Sequence, residues 1–381
     1  MIVVRLLAFL LGAALIAATL LSAVKTFVLP RSAPDQIVRL VFVAIRRIFT
    51  LRLRWARSYA ERDQVMAFFA PISLLALVPA WLALILAGYS GMFWSLGTQT
   101  WQEALRISGS SLLTLGFAAT GDLPKTLLSF SEATIGLILI ALLIAYLPTM
   151  YAAFSRREAA VDLLEVRAGS PPSAVEMIQR YHRIHGLDRL SEQWHNWEKW
   201  FVDIEESHTS LAALVFFRSP EPEHSWVTAA GAVLDAASLT RSVLDVPTDP
   251  QADLCIRAGY LALRRIADFF DVPYNPDPQY GDPIHVSRGE FDAACEKFAA
   301  QGIPLKPDRD QAWRDFSGWR VNYDTVLVAL AGLTMAPPAP WSGDRSDQPF
   351  GYPAFLRHKR RNFSKNANSI PEDRYARPGS R

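Results

Sequence analysis

The residues in this chain whose types and spacing can do chemistry stand together in Ser108 to Asp122, SGSSLLTLGFAATGD. Thr114, Leu115 and Gly116 offer backbone carbonyls and one hydroxyl, the groups that replace an ion's hydration shell when several copies converge on an axis. That chemistry is exchange of water for protein oxygen, with no covalent bond made or broken. The stretch lies between two hydrophobic segments, each long enough to cross a bilayer. Inside hydrocarbon every backbone N–H and C=O needs a partner, so irregular chain survives only where protein buries it or where it lines a water-filled cavity. A Gly-containing, Thr-bearing loop between two spans fits the second case.

Thr114, Leu115, Gly116 and Phe117 resemble the TVGY or TLGF half of the filter signature of potassium channels, and Gly121 and Asp122 resemble its closing Gly-Asp. The resemblance covers residues 97–157. It implies that Trp101–Leu113 is a short pore helix and Leu127–Phe154 a pore-lining inner helix. It also implies four subunits around one axis, a homotetramer passing a monovalent cation, potassium, with no cofactor. Ion coordination and filter support then fall to Thr114, Leu115, Gly116, Phe117 and Ala118, and the outer mouth to Gly121 and Asp122. Gly136 and Pro148 are the two points where the inner helix can bend to open a gate; otherwise Gly136 permits close packing and Pro148 marks the exit. The chain departs from the family at Ala118, Ala119 and Thr120, which stand between the aromatic and Gly-Asp. If Ala118 takes the second filter glycine's place, it adopts a left-handed conformation at about 1 to 2 kcal/mol or turns its carbonyls elsewhere. The insertion motivates an alternative, a nonconducting, channel-derived membrane sensor or scaffold.

The elements that must position this stretch follow from hydropathy and charge. Ile2–Leu29 is nearly continuous apolar sequence, interrupted by Arg5 and Lys25. It reads as a retained span rather than a cleaved signal peptide, since the apolar run is long and positive charge follows it. Arg31 to Gln64 is basic and, by the positive-inside rule, cytoplasmic, which puts the N-terminus outside. Its alternation of arginines with apolar residues reads as an amphipathic helix on the inner leaflet, able to touch anionic lipid. A voltage sensor requires regularly spaced arginines on a crossing helix among partner helices, and only one span precedes this stretch. Val65–Tyr89 is the second span, Gly91–Thr98 an external turn, and Leu127–Phe154 returns inward to Arg156 and Arg157. Glu132 is expected in the first turn of that helix, favoured by its dipole.

Beyond the membrane part the period is that of soluble amphipathic helices. Ser173 with Glu176 predicts a capping box, and further helices are expected at Ser191–Glu206, Ser225–Val243, Gln251–Phe270, Ser287–Gln301 and Asp308–Leu333. The stripe of Trp194, Trp197 and Phe201, with Trp200 beside it, reads as packing rather than a ligand cage. The fold class is thus membrane all-α. It comprises an N-terminal transmembrane helix (1–30), a basic amphipathic linker (31–64), a channel-like pore domain (65–157), an all-helical cytosolic domain (158–335) and a disordered basic tail (336–381). The chain is expected in a plasma or inner membrane.

Composition narrows the remaining classes. Of the 381 residues half are hydrophobic, and the net charge of +2 is too small to argue for nucleic acid. Cys255 and Cys295 stand in no metal-binding spacing and read as reduced thiols. No GxGxxG follows a strand, and Pro124 stands where a phosphate-binding loop requires glycine before Lys125. His182, His185, His195, Glu205, Glu206 and His208 form a metal site, and a membrane-anchored enzyme, only if they converge. The reading preferred for them is solvated helix surface. The cluster at Arg357, His358, Lys359, Arg360 and Arg361 is a second candidate for anionic lipid.

Overall fold

The computed structural model describes residues 2–29, 35–118 and 120–346, and all regular elements among them are helical apart from an isolated bridge between Leu244 and Leu305. Three helical stretches are long and apolar enough to cross a membrane: Ile2–Phe27, Tyr59–Ser95 and Leu123–Ala168. The protein is therefore membrane-embedded and all-α.

The first of these, α1 (Ile2–Phe27), is followed by α2 (Gln36–Leu53). A short α3 (Tyr59–Ala67) leads into α4 (Phe69–Ser95). Small residues let α1 and α4 run antiparallel in close contact: a Cβ on Gly12 would strike the Gly88 carbonyl, and one on Gly88 would come within 3.0 Å of the Gly12 carbonyl. Further along, Trp81 Nε1 donates to Ser22 Oγ at 3.1 Å, and Ser22 Oγ donates to Asp35 at 2.7 Å. Asp35 in turn caps α2, so one buried polar chain sets where the polypeptide turns after α1. Phe42 and Phe49 of α2 close on Phe69 of α4. The opposite face of α2 leaves Leu40, Ile48 and Leu51 exposed beside Arg47 and Arg52.

Next come α5 (Trp101–Leu112) and the long α6 (Leu123–Ala168), which is unbroken through Gly136 and Pro148. Beyond it α7 (Ala174–Arg183), α8 (Leu190–Ser210), α9 (Trp226–Ser242), α10 (Pro250–Phe269), α11 (Arg288–Ala300), α12 (Arg309–Arg320) and α13 (Asp324–Thr334) form a helical unit. Its centre is α9, buried on all sides, whose alanines admit close neighbours. Trp194, Trp197, Trp200 and Phe201 of α8 are all buried, as the packing reading expects.

Arg320 lies in this core, bridging Asp235 and Asp324 and donating to the Trp341 carbonyl at 2.6 Å. Burial pulls its pKa down, but the two carboxylates more than offset this and hold it above the usual range. Burial pushes Asp235 up. Burial also pushes up the thiols of Cys255 and Cys295, both free, the second to about 11.

Several boundaries differ from the expectation. The helix α4 runs to Ser95, because the stop is Gly97 at φ 94°, not Gly91, which packs against the Ala8 carbonyl. The expected single helix at Asp308–Leu333 is two, parted at Val321–Tyr323, which lets Arg320, Tyr323 and Asp324 all reach the network around Asp235. The helical unit extends past its expected limit at Met335 to Ser346, with Ala339, Trp341 and Ser342 buried. The rest of the tail, with its basic cluster, lies outside the described residues. At α7 only half of the capping box forms: Ser173 accepts from the Glu176 N–H, but the Glu176 carboxylate pairs with Arg180 and Arg183. The complete box caps α11, through Ser287 and Glu290.

Overpacking the α1–α4 crossing tests its importance. Gly12→Leu should lower stability by about 1–3 kcal/mol, whereas Leu11→Ala, at a position 69% exposed, should be near neutral. Thermal unfolding in detergent reads the difference.

Candidate functional site

The segment between α5 and α6 is held by hydroxyl-bearing residues of α5. Thr100 caps the start of that helix by accepting from the Glu103 N–H. From there α5 descends beside α4, with Ser108 Oγ 3.2 Å from the Leu86 carbonyl. It ends against α6, where a Cβ on Gly136 would sit 2.5 Å from the Leu112 carbonyl. Gly136 is thirteen residues beyond Leu123, the start of α6, about 20 Å along its axis. The loop from Leu113 to Asp122 climbs that distance back, so its first residues lie well inside the apolar span.

Their backbone groups are sorted by side. The Thr114 N–H donates to the Ser111 carbonyl at 3.0 Å, and the Leu115 and Gly116 N–H groups both donate to the Ser110 carbonyl, at 2.8 and 3.3 Å. The Ala118 N–H donates to Ser110 Oγ at 3.0 Å. Among the described residues nothing donates to the carbonyls of Thr114, Leu115, Gly116 or Phe117. Thr114 and Gly116 have φ of 56° and 71°, while Leu113 and Leu115, before and between them, do not enter the left-handed region. Alternation of this kind places successive N–H groups on one side and leaves the carbonyls on the other. A β-branched residue at positive φ is an outlier that costs about 1–3 kcal/mol and concentrates at functional sites.

The left-handed conformation weighed for Ala118 is found instead at Thr114 and Gly116; Ala118 itself is not left-handed. Ala119 lies outside the described residues. Leu115 and Phe117 are 61% and 59% exposed in the single chain. Gly121 is exposed too, and Asp122 precedes α6 without a side-chain capping bond, its carboxylate paired with Lys125 at 3.0 Å. Thr120 and Thr126 hydroxyls meet at 2.9 Å across this corner.

Behind the loop stands Glu132. Because α6 starts at Leu123, this residue is in the third turn, too far in for the dipole effect expected of it. It is fully buried and its Oε1 lies 2.5 Å from Ser108 Oγ, while Oε2 has no partner among the described residues. Tyr89 and Ser131 hydroxyls meet at 2.8 Å one residue away. The sequence offers one signal for this site, a carboxylate inside an apolar span, which marks function by default. Nothing in the pattern names Ser108 or Ser110 as its companions.

At the far end of α6 a second buried charge joins it to the helical unit. Arg157 donates to Glu158, to the Leu214 carbonyl at 2.9 Å and to the Phe217 carbonyl at 2.7 Å, and its Nη1 lies 3.3 Å from His208. Next to it Arg218 pairs with Asp63 and donates to Tyr59 and to the Thr334 and Met335 carbonyls. The start of α3 and the end of α6 thus share one end of the spans, and Arg5 and Gly97 lie together at the other. Pro148 is exposed on α6 between these two regions.

The histidine and carboxylate cluster does not converge: His182 faces the Gln301 carbonyl, His208 is buried, and no metal-holding group occurs among the described residues. No family model matches the chain, and no curated protein or solved structure matches it either.

Two measurements follow from the buried acid and the buried imidazole. Glu132→Ala should destabilise the protein by about 1–3 kcal/mol and Glu132→Gln, which keeps an acceptor for Ser108, by much less, as read by thermal unfolding in detergent. Burial and the Arg157 guanidinium hold His208 well below the usual histidine value of 6.5. The folded state keeps this ring neutral while the unfolded state protonates it, so its contribution is complete above about pH 6.5 and is lost as pH falls below, by up to about 1.4 kcal/mol per unit. Comparing unfolding near pH 7.5 and 5.5 for wild type and His208→Gln checks the slope, which the variant should lack.

Proposed function

We propose that the chain is one subunit of a tetrameric cation channel of the potassium-channel pore type, with potassium as the permeant ion. The observation that carries this reading is the sorted backbone of the loop, with the N–H groups of Thr114, Leu115, Gly116 and Ala118 tied to α5 and the carbonyls of Thr114 to Phe117 open at a depth where every polar group needs a partner. An ion shared among several subunits is such a partner, and carbonyl rings are a means of replacing its hydration shell. One copy cannot enclose an ion, and four around an axis would.

The surface supports assembly. Only 17% of the apolar window of α6 is buried within the single chain, against 44% for the preceding span. Leu127, Phe130, Leu137, Ile144 and Tyr151 remain exposed along it, beside Leu115 and Phe117 of the loop. Apolar patches of this extent mark surfaces that other chains or lipid cover. Basic residues of α2 and α3 lie at the same end as Arg156 and Arg157, consistent with a cytoplasmic face there, an external N-terminus and a cytosolic helical domain. Anionic lipid would meet the exposed arginines of α2. Gly136 would serve packing against α5, and Pro148 would serve as the bend of the inner helix.

The residues inserted at Ala118 to Thr120 favour a second reading, a nonconducting sensor or scaffold built on the same architecture. Ion flux separates the two. Purified protein in liposomes should pass potassium in preference to sodium; Thr114→Ala should alter the preference and Gly116→Asp should abolish flux. Absence of flux from intact tetramers under all gradients would reject the channel, and a mass other than that of four subunits would reject the assembly.

A further inference from the structure

We infer that Ser110 is the positioning residue that sets ion discrimination, through a hydroxyl that orients the Phe117 carbonyl; this rests on the channel reading above. In a planar trans peptide the N–H and the preceding C=O point in opposite directions. Each N–H drawn toward α5 therefore turns the carbonyl before it toward the open side. The Ser110 carbonyl takes the Leu115 and Gly116 N–H groups, which orients the carbonyls of Thr114 and Leu115. The Ser110 hydroxyl takes the Ala118 N–H, which orients the carbonyl of Phe117.

The two anchors differ in kind. Any residue at position 110 supplies the carbonyl, so the inner two oxygens are fixed by the fold of the backbone. Only a side chain with an acceptor at this reach fixes the third. Ser110 is 1% exposed, which leaves no room for water to take over the bond. The Phe117 N–H has no partner among the described residues, so the Gly116 carbonyl lacks such an anchor and the hydroxyl holds the outer side of that free peptide. It does so at the first of the three inserted residues, Ala118. Discrimination between cations depends on the number and direction of the carbonyl dipoles, and releasing one of them per subunit removes up to four from the ring.

The test compares reversal potentials of wild type, Ser110→Ala and Ser110→Thr under opposed potassium and sodium gradients, in bilayers holding assembled tetramers. The alanine variant should still conduct, with a potassium-to-sodium permeability ratio lower by about tenfold. The threonine variant, which restores an acceptor, should return the ratio toward wild type. A merely structural serine would change stability without moving the ratio, and a wild-type ratio in conducting Ser110→Ala tetramers overturns the inference while leaving the channel intact. Hydrogen exchange at the Ala118 amide of the wild-type tetramer provides a check that needs no variant. Protection is expected, and exchange at the rate of a free amide overturns the inference even if the alanine variant fails to assemble. Wild-type tetramers that pass no cation reject the channel reading itself, and the role of Ser110 with it.

Discussion

A guanidinium can be kept away from water only when its donors are met, and Arg157 meets this condition by reaching from α6 to the carbonyls of Leu214 and Phe217. Its counter-charge is Glu158, and removing that carboxylate would leave a buried charge uncompensated, at a cost of about 3–5 kcal/mol. The bonds therefore fix more than a local contact. They set the rotation of α6 about its axis relative to the helical unit, and through α6 the face it turns to α5. The chain from residue 211 to 218 is held on its other side by Phe216 against Phe69 and by Arg218 against Asp63. One short segment thus joins the bases of two membrane-length helices.

The same rule operates in hydrocarbon at the other end, where it acts on backbone rather than side chains. The loop between α5 and α6 lacks a helical ladder, and the N–H groups of Thr114, Leu115, Gly116 and Ala118 find acceptors within the chain. The carbonyls face outward, where this chain alone supplies nothing among its described residues. Polar imbalance of that kind is costly unless water or another polar group meets the carbonyls. The left-handed Thr114 belongs to this arrangement, since strain there is sustained only by surroundings that over-determine it.

Much of the architecture is written in local pattern. The spans follow from hydropathy, α8, α9, α10 and α11 from amphipathic period, and α5 from the resemblance that sets a short helix before Thr114. The loop is located by Thr114, Leu115 and Gly116 themselves. What the pattern does not carry is pairing over distance. Ser108 and Glu132 are separated by 24 residues, Arg157 and His208 by 51, and Arg218 and Asp63 by 155. No periodicity links such residues, because each pair is chosen by tertiary packing. The break between α12 and α13 escapes local pattern for the same reason: it serves Asp235, far away in sequence. The neighbours of Trp341 place it in a polar tail, yet its carbonyl completes the shell of Arg320.

The two attachments of α6 also give it a mechanical character. Near one end Gly136 lies against the Leu112 carbonyl, so a bend there would drive backbone into backbone. Toward the other, Arg157 is fastened to two carbonyls. Between these supports run about 31 Å of helix, and within them Pro148 deprives the ladder of one hydrogen bond. A beam clamped at two points yields at its weakest section. Load applied by the helical unit would therefore be taken up as flexure near Pro148, leaving the section beside the loop undeflected.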